Sequence, residues 1–359
     1  MKRTKDKKVY CFGGGKLTER ILGLFKELKL EERIVYYVDN DPEKNHAQTK
    51  LNGKVIEIIS PQEMLQEISA EDIILIGSFR FKEIIDQLDT MSELNDIQVY
   101  VVKLFMEDLS ETTYKGGIVY SPTRQIPKKI HYCWFGGKEM GELEKHCLAT
   151  WKKFCPDYEI IRWDETNYDY TQNQYISDAY KSGKYAFVSD YARLDVIYRY
   201  GGIYLDTDVE ILRSIDQLLY QRGFMGFESN SMVNSGVGMG GVAGIELFAT
   251  LRDAYQNYVF IDSNGKINDV ANCNLQSAIL KEKGLRLDNT LQEIDGIRFY
   301  PSEFLSPVSY LTNKKHITEN TYSVHWFTGS WQTEVGTTYR NQQLQYMDEI
   351  IERLKRESM

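Results

Sequence analysis

The sequence lacks any apolar stretch long enough to cross a membrane, and no signal-peptide core follows its basic start. It also has few cysteines: the five present are odd in number and show no Cys-x-x-Cys spacing. That pattern predicts reduced packing residues and indicates neither a disulfide framework nor a zinc site. A cytoplasmic protein is therefore expected.

An excess of positive charge is lacking as well, since 43 lysines and arginines stand against 52 aspartates and glutamates and give a formal net charge of −9. A protein whose main partner is nucleic acid carries a basic surface, so a nucleic-acid function is not expected. The basic run from Lys2 to Lys8 is interpreted either as a solvated tail or as a weak peripheral contact with the inner face of a membrane. Internal repeats and low-complexity segments are also absent from the sequence.

What is present indicates two globular domains. The chain has 359 residues, of which 42% are hydrophobic and 26% charged, a size and composition that suit two α/β domains. Tyrosine is frequent, at 25 residues. Aromatic faces of this kind line carbohydrate- and base-binding clefts, but they also serve as half-buried packing.

Residues 1–108 are predicted to form a Rossmann-like domain with a parallel sheet. Apolar runs suit strands buried on both faces; they are Val9–Phe12, Ile34–Val38, Ile73–Gly77 and Val99–Val102. Helices are predicted between the first two of these strands, over 19–28, and between the last two, over 81–88. A glycine turn with Gly13 and Gly15 follows the first strand, and Asp39 follows the second, where a ribose-binding acid belongs. Thr18 replaces the third glycine of the dinucleotide-binding pattern. Nucleotide binding and a purely structural βα turn both remain open.

A polar stretch over 109–125, with a Gly-Gly pair and a proline, is predicted to be a linker. A second α/β domain follows over 126–335, in which the strands end in polar or glycine-rich residues. Ligands bind beyond such strand ends in an open parallel sheet. Residues 336–359 are predicted to form an amphipathic C-terminal helix.

The most informative stretch reads as a helix, a Gly-Gly break and a strand. Ser189 is predicted to be the N-cap, and Gly201-Gly202 ends the helix. The strand Ile203–Val209 alternates with period 2, which predicts that Asp206 and Asp208 point the same way. Two such carboxylates are costly without a cation between them, and a divalent metal holding a diphosphate would supply it.

An Asp-x-Asp string alone is a weak signal, because short strings of this kind occur by chance. Its place after a buried strand strengthens it, and so does the pair Asp190 and Arg193 in the helix before it. That pair is open to two interpretations. One is an ordinary helix-surface ion pair, and the other is a part of the same binding site.

Three motifs in this order resemble glycosyltransferase family 32, which includes capsular-polysaccharide transferases and the yeast initiating mannosyltransferase. They are Ile126–Gly137, Ala186–Leu212 and His325–Trp331. The resemblance covers about residues 126–335. It implies a GT-A fold, a nucleotide-sugar donor that by family tendency is a UDP-sugar, Mn²⁺ or Mg²⁺, and retention of the anomeric configuration.

The resemblance also implies roles for the residues of the central stretch. Asp208 would ligate the metal, with His325 as a late ligand, and Asp206 would be shared between metal and donor. Asp190 and Arg193 would bind hydroxyls of the donor hexose. A satisfied core histidine is the alternative for His325.

Further donor-binding roles are implied for four residues outside that stretch. Trp134 would pack near the base, Asn234 would face the transferred sugar, and Ser330 and Trp331 would close over the diphosphate. Packing is the alternative for both tryptophans. The sequence departs from the family at residues 271–274, so no acceptor-side residue is carried over.

The predicted function is metal-dependent transfer of a hexose or N-acetylhexosamine to a glycan or lipid-linked glycan of a bacterial surface polysaccharide. No dedicated nucleophile can be assigned, although Asp190 is the nearest candidate, and a front-face mechanism is favoured. Two alternatives are a nicotinamide-dependent sugar-nucleotide oxidoreductase using the N-terminal domain and a non-catalytic sugar-nucleotide-binding protein. The sequence does not specify the donor sugar, the acceptor or the oligomeric state.

Overall fold

The computed structural model describes residues 7–13, 18, 30–51, 53–78, 80–102, 113–263, 265, 267, 272–310, 312–328, 338, 341–342 and 344–346. The chain divides into two compact units, one formed by residues 1–108 with 345–359 and the other by 109–344. Both combine strands and helices, so the α/β class is confirmed. Among the described helices, none is long and apolar enough to cross a bilayer.

The N-terminal unit contains a six-stranded sheet in the order β3-β4-β2-β1-β5-β6. Its strands are β1 Val9–Phe12, β2 Ile34–Val38, β3 Gln48–Leu51, β4 Lys54–Ile59, β5 Ile73–Ile76 and β6 Gln98–Val101. All neighbouring pairs are parallel except β3 with β4. The apolar runs predicted four of the parallel strands. They missed β3, an edge strand with polar residues, and β4, whose apolar residues are interrupted by Glu57.

Three α-helices of the N-terminal unit have described bounds: α1 Leu30–Arg33, α2 Pro61–Glu67 and α3 Phe81–Leu88. The structure confirms the predicted bounds of α3. Helix α2 was not predicted, although Ser60 and Glu63 form a capping box at its start. The predicted helix at 19–28 lies outside the described residues.

The second unit contains a seven-stranded sheet in the order β13-β14-β11-β12-β9-β7-β8. Its strands are β7 Lys129–Cys133, β8 Glu159–Trp163, β9 Gly202–Tyr204, β11 Gly223–Phe227, β12 Val233–Gly241, β13 Gln292–Ile294 and β14 Ile297–Tyr300. A separate antiparallel pair joins β10 Val209–Ile211 to β15 Ser323–His325. Strand β12 is antiparallel to both of its neighbours, so the sheet is mixed and not the open parallel sheet of the prediction.

The helices of the second unit are α4 Glu142–Phe154, α5 Gln174–Lys181, α6 Tyr185–Tyr200, α7 Glu246–Asp253, α8 Asn272–Glu282 and α9 Ser302–Leu305. Helix α6 is largely buried and packs against α5, α7 and β12. It begins at Tyr185, so the prediction of Ser189 as its N-cap is wrong. The Ser189 hydroxyl lies inside the helix and donates to the Tyr185 carbonyl at 3.2 Å, as serines within helices commonly do.

Two glycines turn the chain from α6 into β9, as the sequence predicted. Gly201 and Gly202 have φ values of 63° and 107°, which side chains rarely tolerate. A Cβ on Gly202 would also lie 2.9 Å from the Nε2 atom of His131. The close approach leaves His131 buried against this turn.

The prediction of one strand from Ile203 to Val209 is wrong. Strand β9 ends at Tyr204, and the Val209 amide donates to the Asp206 carbonyl at 3.0 Å. Asp206 and Asp208 therefore lie in a turn between β9 and β10. The chain breaks here because β9 pairs within the large sheet, whereas β10 pairs with β15.

Residues 113–125, predicted to be part of a linker, contain no helix or strand, but they are hydrogen-bonded to later residues of the second unit. The Tyr114 amide donates to the buried Glu303 carboxylate, and the Ser121 amide donates to the Tyr220 carbonyl. At the other end, Tyr346 packs against the N-terminal core, with the Lys82 ammonium 4.6 Å from its ring. Most of the predicted helix over 336–359 lies outside the described residues.

Candidate active site

Three side chains that can ligate a metal converge at the turn after β9. One ligand atom from each of Asp206, Asp208 and His325 lies within 4.8 Å of the other two. The two aspartates come from the turn, and the histidine is the last residue of β15. In the part of the chain that the structure describes, no other group of three such side chains meets this geometry.

Asp208 is 7% exposed and is held by hydrogen bonds on both carboxylate oxygens. Its Oδ1 lies 3.1 Å from the Nε2 of His325, and its Oδ2 accepts from the amide and the hydroxyl of Thr328, both at 2.9 Å. Burial alone would raise the pKa of Asp208. The charge and hydrogen bond of His325, with the two bonds from Thr328, instead hold that pKa well below its usual range.

His325 is 6% exposed, and its Nδ1 has no hydrogen-bond partner among the described residues. Burial opposes the charged form of this imidazole. The carboxylates of Asp208, Asp206 and Glu228 outweigh burial and raise the pKa of His325. An orphaned buried nitrogen amid excess negative charge is unusual for a histidine that serves packing alone.

These residues fit a small divalent cation. Two carboxylates and an imidazole are ligands that such ions accept, and opposite ligands of an octahedral ion stand about 4 Å apart, close to the spread seen here. His325 Nε2 already forms an ion pair with Asp208, so a cation that binds this nitrogen would replace its proton.

Arg193 lies between two carboxylates at the edge of this cluster. Its Nη2 is 3.1 Å from Asp190 and 3.0 Å from Asp206, and its side chain is 4% exposed. The Tyr204 hydroxyl also donates to Asp206 at 3.0 Å. One guanidinium thus serves two acids, and negative charge stays in excess around the turn.

The buried pair Asp190 and Arg193 of helix α6 is not an exposed helix-surface pair. Burial raises the pKa of Asp190 to about 7; Arg193 opposes this shift and the charge of Asp206 adds to it. Burial also opposes the charge of Arg193, but Asp206, Tyr204 and Asp190 keep its pKa above the ordinary value. Because the arginine stays charged, Asp190 is the group whose protonation changes near neutral pH.

Asn234 of β12 stands two residues before Gly236, whose carbonyl accepts from the Asp206 amide. Both polar atoms of the Asn234 side chain form hydrogen bonds within the protein. Its Oδ1 accepts from the Gly236 amide at 2.7 Å and from the side-chain amide of Asn272 at 3.2 Å. Its Nδ2 donates to the buried Glu228 at 2.6 Å. Burial raises the pKa of Glu228, with Asn234 opposing that shift most strongly.

The remaining donor-side predictions receive less support from the geometry. The Trp134 indole donates to the Lys138 carbonyl at 2.7 Å and packs half-buried against the core of the second unit, which agrees with the packing interpretation. Ser330 and Trp331 lie outside the described residues.

The N-terminal candidates form a different arrangement. The Gly13 amide donates to the Val38 carbonyl at 3.2 Å. Asp39 accepts from the Lys44 ammonium at 2.9 Å, so its charge already has a partner. Gly15 lies outside the described residues.

Sequence reasoning missed four residues that hold the cluster: Tyr204, Glu228, Gly236 and Thr328. Tyr204 stands two residues before Asp206, so the period of a strand would have placed both side chains on one face. Glu228 directly follows the apolar strand β11, at a position like the one predicted for Asp206 and Asp208. Nothing local to the sequence marks Gly236 or Thr328, because the aspartates that they contact, Asp206 and Asp208, are far along the chain.

Comparison with known proteins places this turn inside a recognised region. Residues 141–225 match the family described as the glycosyltransferase sugar-binding region containing a DXD motif. A 139-residue stretch is 30% identical to inositol phosphoceramide mannosyltransferase 3 of Schizosaccharomyces pombe (strain 972 / ATCC 24843). That alignment covers 35% of this chain and 36% of the relative, so the chain matches only about a third of the relative's length.

A solved structure, PaToxG glycosyltransferase, is 18% identical, with a TM-score of 0.36, over 57% of this chain and 80% of that one. At this TM-score, the likeness supports no conclusion about the chain. The family match is informative, because it runs from the start of α4 to the middle of β11 and includes Asp190, Arg193, Asp206 and Asp208. The chain therefore contains a glycosyltransferase-type sugar-binding region with a DXD motif.

Proposed function

We propose that the protein is a metal-dependent, retaining glycosyltransferase that uses a nucleotide-sugar donor. The observation that carries the proposal is the convergence of Asp206, Asp208 and His325 within 4.8 Å, inside or beside the matched region. Retention of configuration and a GT-A fold are supported by the resemblance of three sequence motifs to glycosyltransferase family 32.

Asp206, Asp208 and His325 would hold Mn²⁺ or Mg²⁺. When bound, such an ion neutralises the charge that develops on a leaving diphosphate. Asp208 is fixed for this task by Thr328, which leaves its other oxygen facing His325. Arg193 and Tyr204 orient Asp206 through its carboxylate.

Asp190 is proposed to bind a hydroxyl of the donor hexose and not to attack its anomeric carbon. It is 8% exposed and is held by Arg193 at 3.1 Å. A carboxylate nucleophile must be charged, and burial raises the pKa of Asp190 to about 7. This favours the front-face mechanism, in which the leaving and attacking groups share one side of the sugar.

The donor is proposed to carry a hexose or N-acetylhexosamine, and the acceptor to be a glycan or lipid-linked glycan of a bacterial surface polysaccharide. The resemblance favours UDP-sugars. The name of the fission yeast relative specifies mannosyl transfer, so GDP-mannose belongs in the same test. The reaction would take place at the cytoplasmic side of a membrane, where the lipid-linked acceptor is anchored.

The test is hydrolysis or transfer across a panel of UDP- and GDP-hexoses and N-acetylhexosamines, with Mn²⁺, with Mg²⁺ and with a chelator. We expect one donor to be turned over only with metal. Asp208→Asn should abolish that turnover because it removes a charged ligand. Donor binding without turnover for any acceptor would instead favour the non-catalytic sugar-nucleotide-binding alternative.

The oxidoreductase alternative is tested on the same preparation by calorimetry with NAD(H) and NADP(H). The proposal predicts no binding, in keeping with the occupied Asp39 carboxylate and with a family match that lies outside the N-terminal unit. Submicromolar binding of either cofactor would reverse the preference between the two functions.

A further inference from the structure

Strand β12 departs from regular pairing beside the DXD turn. Asn234 faces Gly226 of β11, but the next pair along is Met239 with Met225. Four residues of β12, 235–238, therefore stand opposite no residue of β11. Bulges of this kind re-aim a strand and are common next to active sites.

Side chains accept hydrogen bonds from backbone amides in and next to this unpaired part of β12. The Val233 amide donates to the Ser277 hydroxyl at 2.8 Å, and the Ser235 amide donates to Gln276 at 3.2 Å. The Gly236 amide donates to the side-chain oxygen of Asn234 at 2.7 Å. Ser277 and Gln276 belong to helix α8, whereas Asn234 is part of the bulged strand itself.

The bulge brings the Gly236 backbone against the carboxylate of the DXD turn. The Gly236 carbonyl accepts from the Asp206 amide at 3.1 Å. A Cβ on Gly236 would lie 2.0 Å from Oδ2 of Asp206 and 2.7 Å from Nη1 of Arg193. The position of Gly236 therefore sets both the backbone and the carboxylate of Asp206.

Glu228 fixes the residue that holds Gly236. It is 6% exposed and directly follows β11, in the turn that leads into β12. One of its oxygens accepts from Asn234 at 2.6 Å and the other from Asn230 at 3.0 Å. With its Nδ2 bound to this acid, Asn234 must present Oδ1 to the Gly236 amide.

We propose that Glu228 is a positioning residue for the metal-binding site, acting through Asn234 and Gly236 on Asp206. It touches none of the three metal-ligating side chains through a hydrogen bond or ion pair in the described structure. Besides the effect of its charge on His325, it keeps the Asn234 amide in one orientation, and so keeps the bulge at the distance that Asp206 requires. The inference rests on the proposed function, since it concerns the same metal site.

The test uses Glu228→Gln and the double variant E228Q/N234D. A glutamine offers one oxygen to two asparagine amides, so the single variant leaves a buried donor facing a donor. In the double variant, the glutamine amide that replaces the acid donates to the new carboxylate at position 234, and that carboxylate still accepts from Gly236 and Asn272. The network is complete again with one bond reversed, and the net charge equals that of the wild type.

The readouts are Mn²⁺ affinity of the full chain by electron paramagnetic resonance and the melting temperature without metal. Outer-shell partners of metal ligands typically change affinity by about 10- to 100-fold, so we expect about a tenfold loss for E228Q and recovery to within about threefold for the double variant. Ser277→Ala is the matched control. It removes a hydrogen bond from the same strand and should lower the melting temperature without changing Mn²⁺ affinity.

The outcomes separate the two claims. If the wild type binds no Mn²⁺, the proposed function fails and this inference fails with it. If the wild type binds but E228Q binds equally well, or if the double variant is no tighter than E228Q, Glu228 is not a positioning residue and the proposed function stands.

Discussion

Two regions of this chain place an acid just after a strand, and they use it differently. In the second unit, the carboxylates of the DXD turn pair with Arg193 and His325, whose side chains are 4% and 8% exposed. In the N-terminal unit, Asp39 and Asp41 lie 2.9 and 3.6 Å from the ammonium of Lys44, which is 50% exposed. The first group of charges is buried, and the second is open to water.

The comparison shows that an acid at a strand end is not by itself a site. Buried carboxylates favour a bound cation, because burial without full compensation is costly. Acids that share an exposed lysine are screened by water, and such pairs contribute little. The burial of the charges separates the two cases better than sequence position does.

The largest difference between the two regions is expected when one acid in each is neutralised. We expect Asp208→Asn to weaken Mn²⁺ binding by at least about 100-fold, since it removes a charged ligand, and Asp39→Asn to leave it unchanged. Isothermal titration with Mn²⁺ measures both. Equal losses in the two variants, or none in either, would show that the DXD turn is not the metal site.

The second largest effect is expected at the bulge. Gly236→Ala places a methyl group against Asp206 and Arg193, so Mn²⁺ affinity should fall by about 10- to 100-fold, as for other disturbed outer shells. Gly117→Ala is the control, because a Cβ there meets nothing within 4 Å. A Gly236→Ala protein that binds Mn²⁺ like the Gly117→Ala protein would mean that the bulge does not set the position of Asp206.

His131 in β7 should make the stability of the second unit depend on pH. Its Nδ1 accepts from the Trp163 indole at 3.0 Å and its Nε2 donates to the Gly201 carbonyl at 2.9 Å, which fixes the neutral form. Burial lowers the pKa of His131 to about 4, below the unfolded value of about 6.5. The unfolded chain therefore binds the proton first.

The stabilisation from neutral His131 is complete above about pH 6.5 and is lost as the pH falls toward about 4. Between pH 7 and pH 5 we expect this residue to account for about 2 kcal/mol of lost unfolding free energy. Urea unfolding at both pH values should show a smaller loss for His131→Gln, and the wild-type loss for the exposed control His146→Gln. An unchanged loss in His131→Gln would contradict the assignment.

The smallest effect is expected in the N-terminal unit, where Thr18 replaces the third glycine of the dinucleotide pattern. Its buried hydroxyl lies 2.6 Å from the Gly13 carbonyl and 2.8 Å from the Gly77 carbonyl, and so links the ends of β1 and β5. Thr18→Val should cost about 1–2 kcal/mol of unfolding free energy and leave Mn²⁺ affinity unchanged. Thr18→Ser keeps the hydroxyl and should retain most of the stability; a Val variant as stable as the Ser variant would argue against a structural role for this bond.

Local patterns predicted much of the fold because they depend on neighbours in sequence. The bounds of α3 and of strands β1 and β2 agree with the sequence interpretation. Strand β3 escaped it because an exposed edge strand needs no apolar run, and β4, which lies between β3 and β2, escaped it because Glu57 interrupts its apolar residues. The start of α6 was misplaced because Ser189 can cap a helix but here bonds inside one.

Within the site, the candidate groups for the proposed chemistry could be predicted from the sequence. The DXD string, the Asp190–Arg193 spacing and the late histidine are readable in one dimension because their residue types are those that bind metals and diphosphates. How these side chains come together depends on the tertiary structure. It put the two aspartates in a turn between two sheets, brought β15 alongside β10, and inserted the β12 bulge against Asp206. Those contacts join residues up to 120 positions apart, as from Asp208 to Thr328, and a contact of that kind leaves no periodicity in the chain.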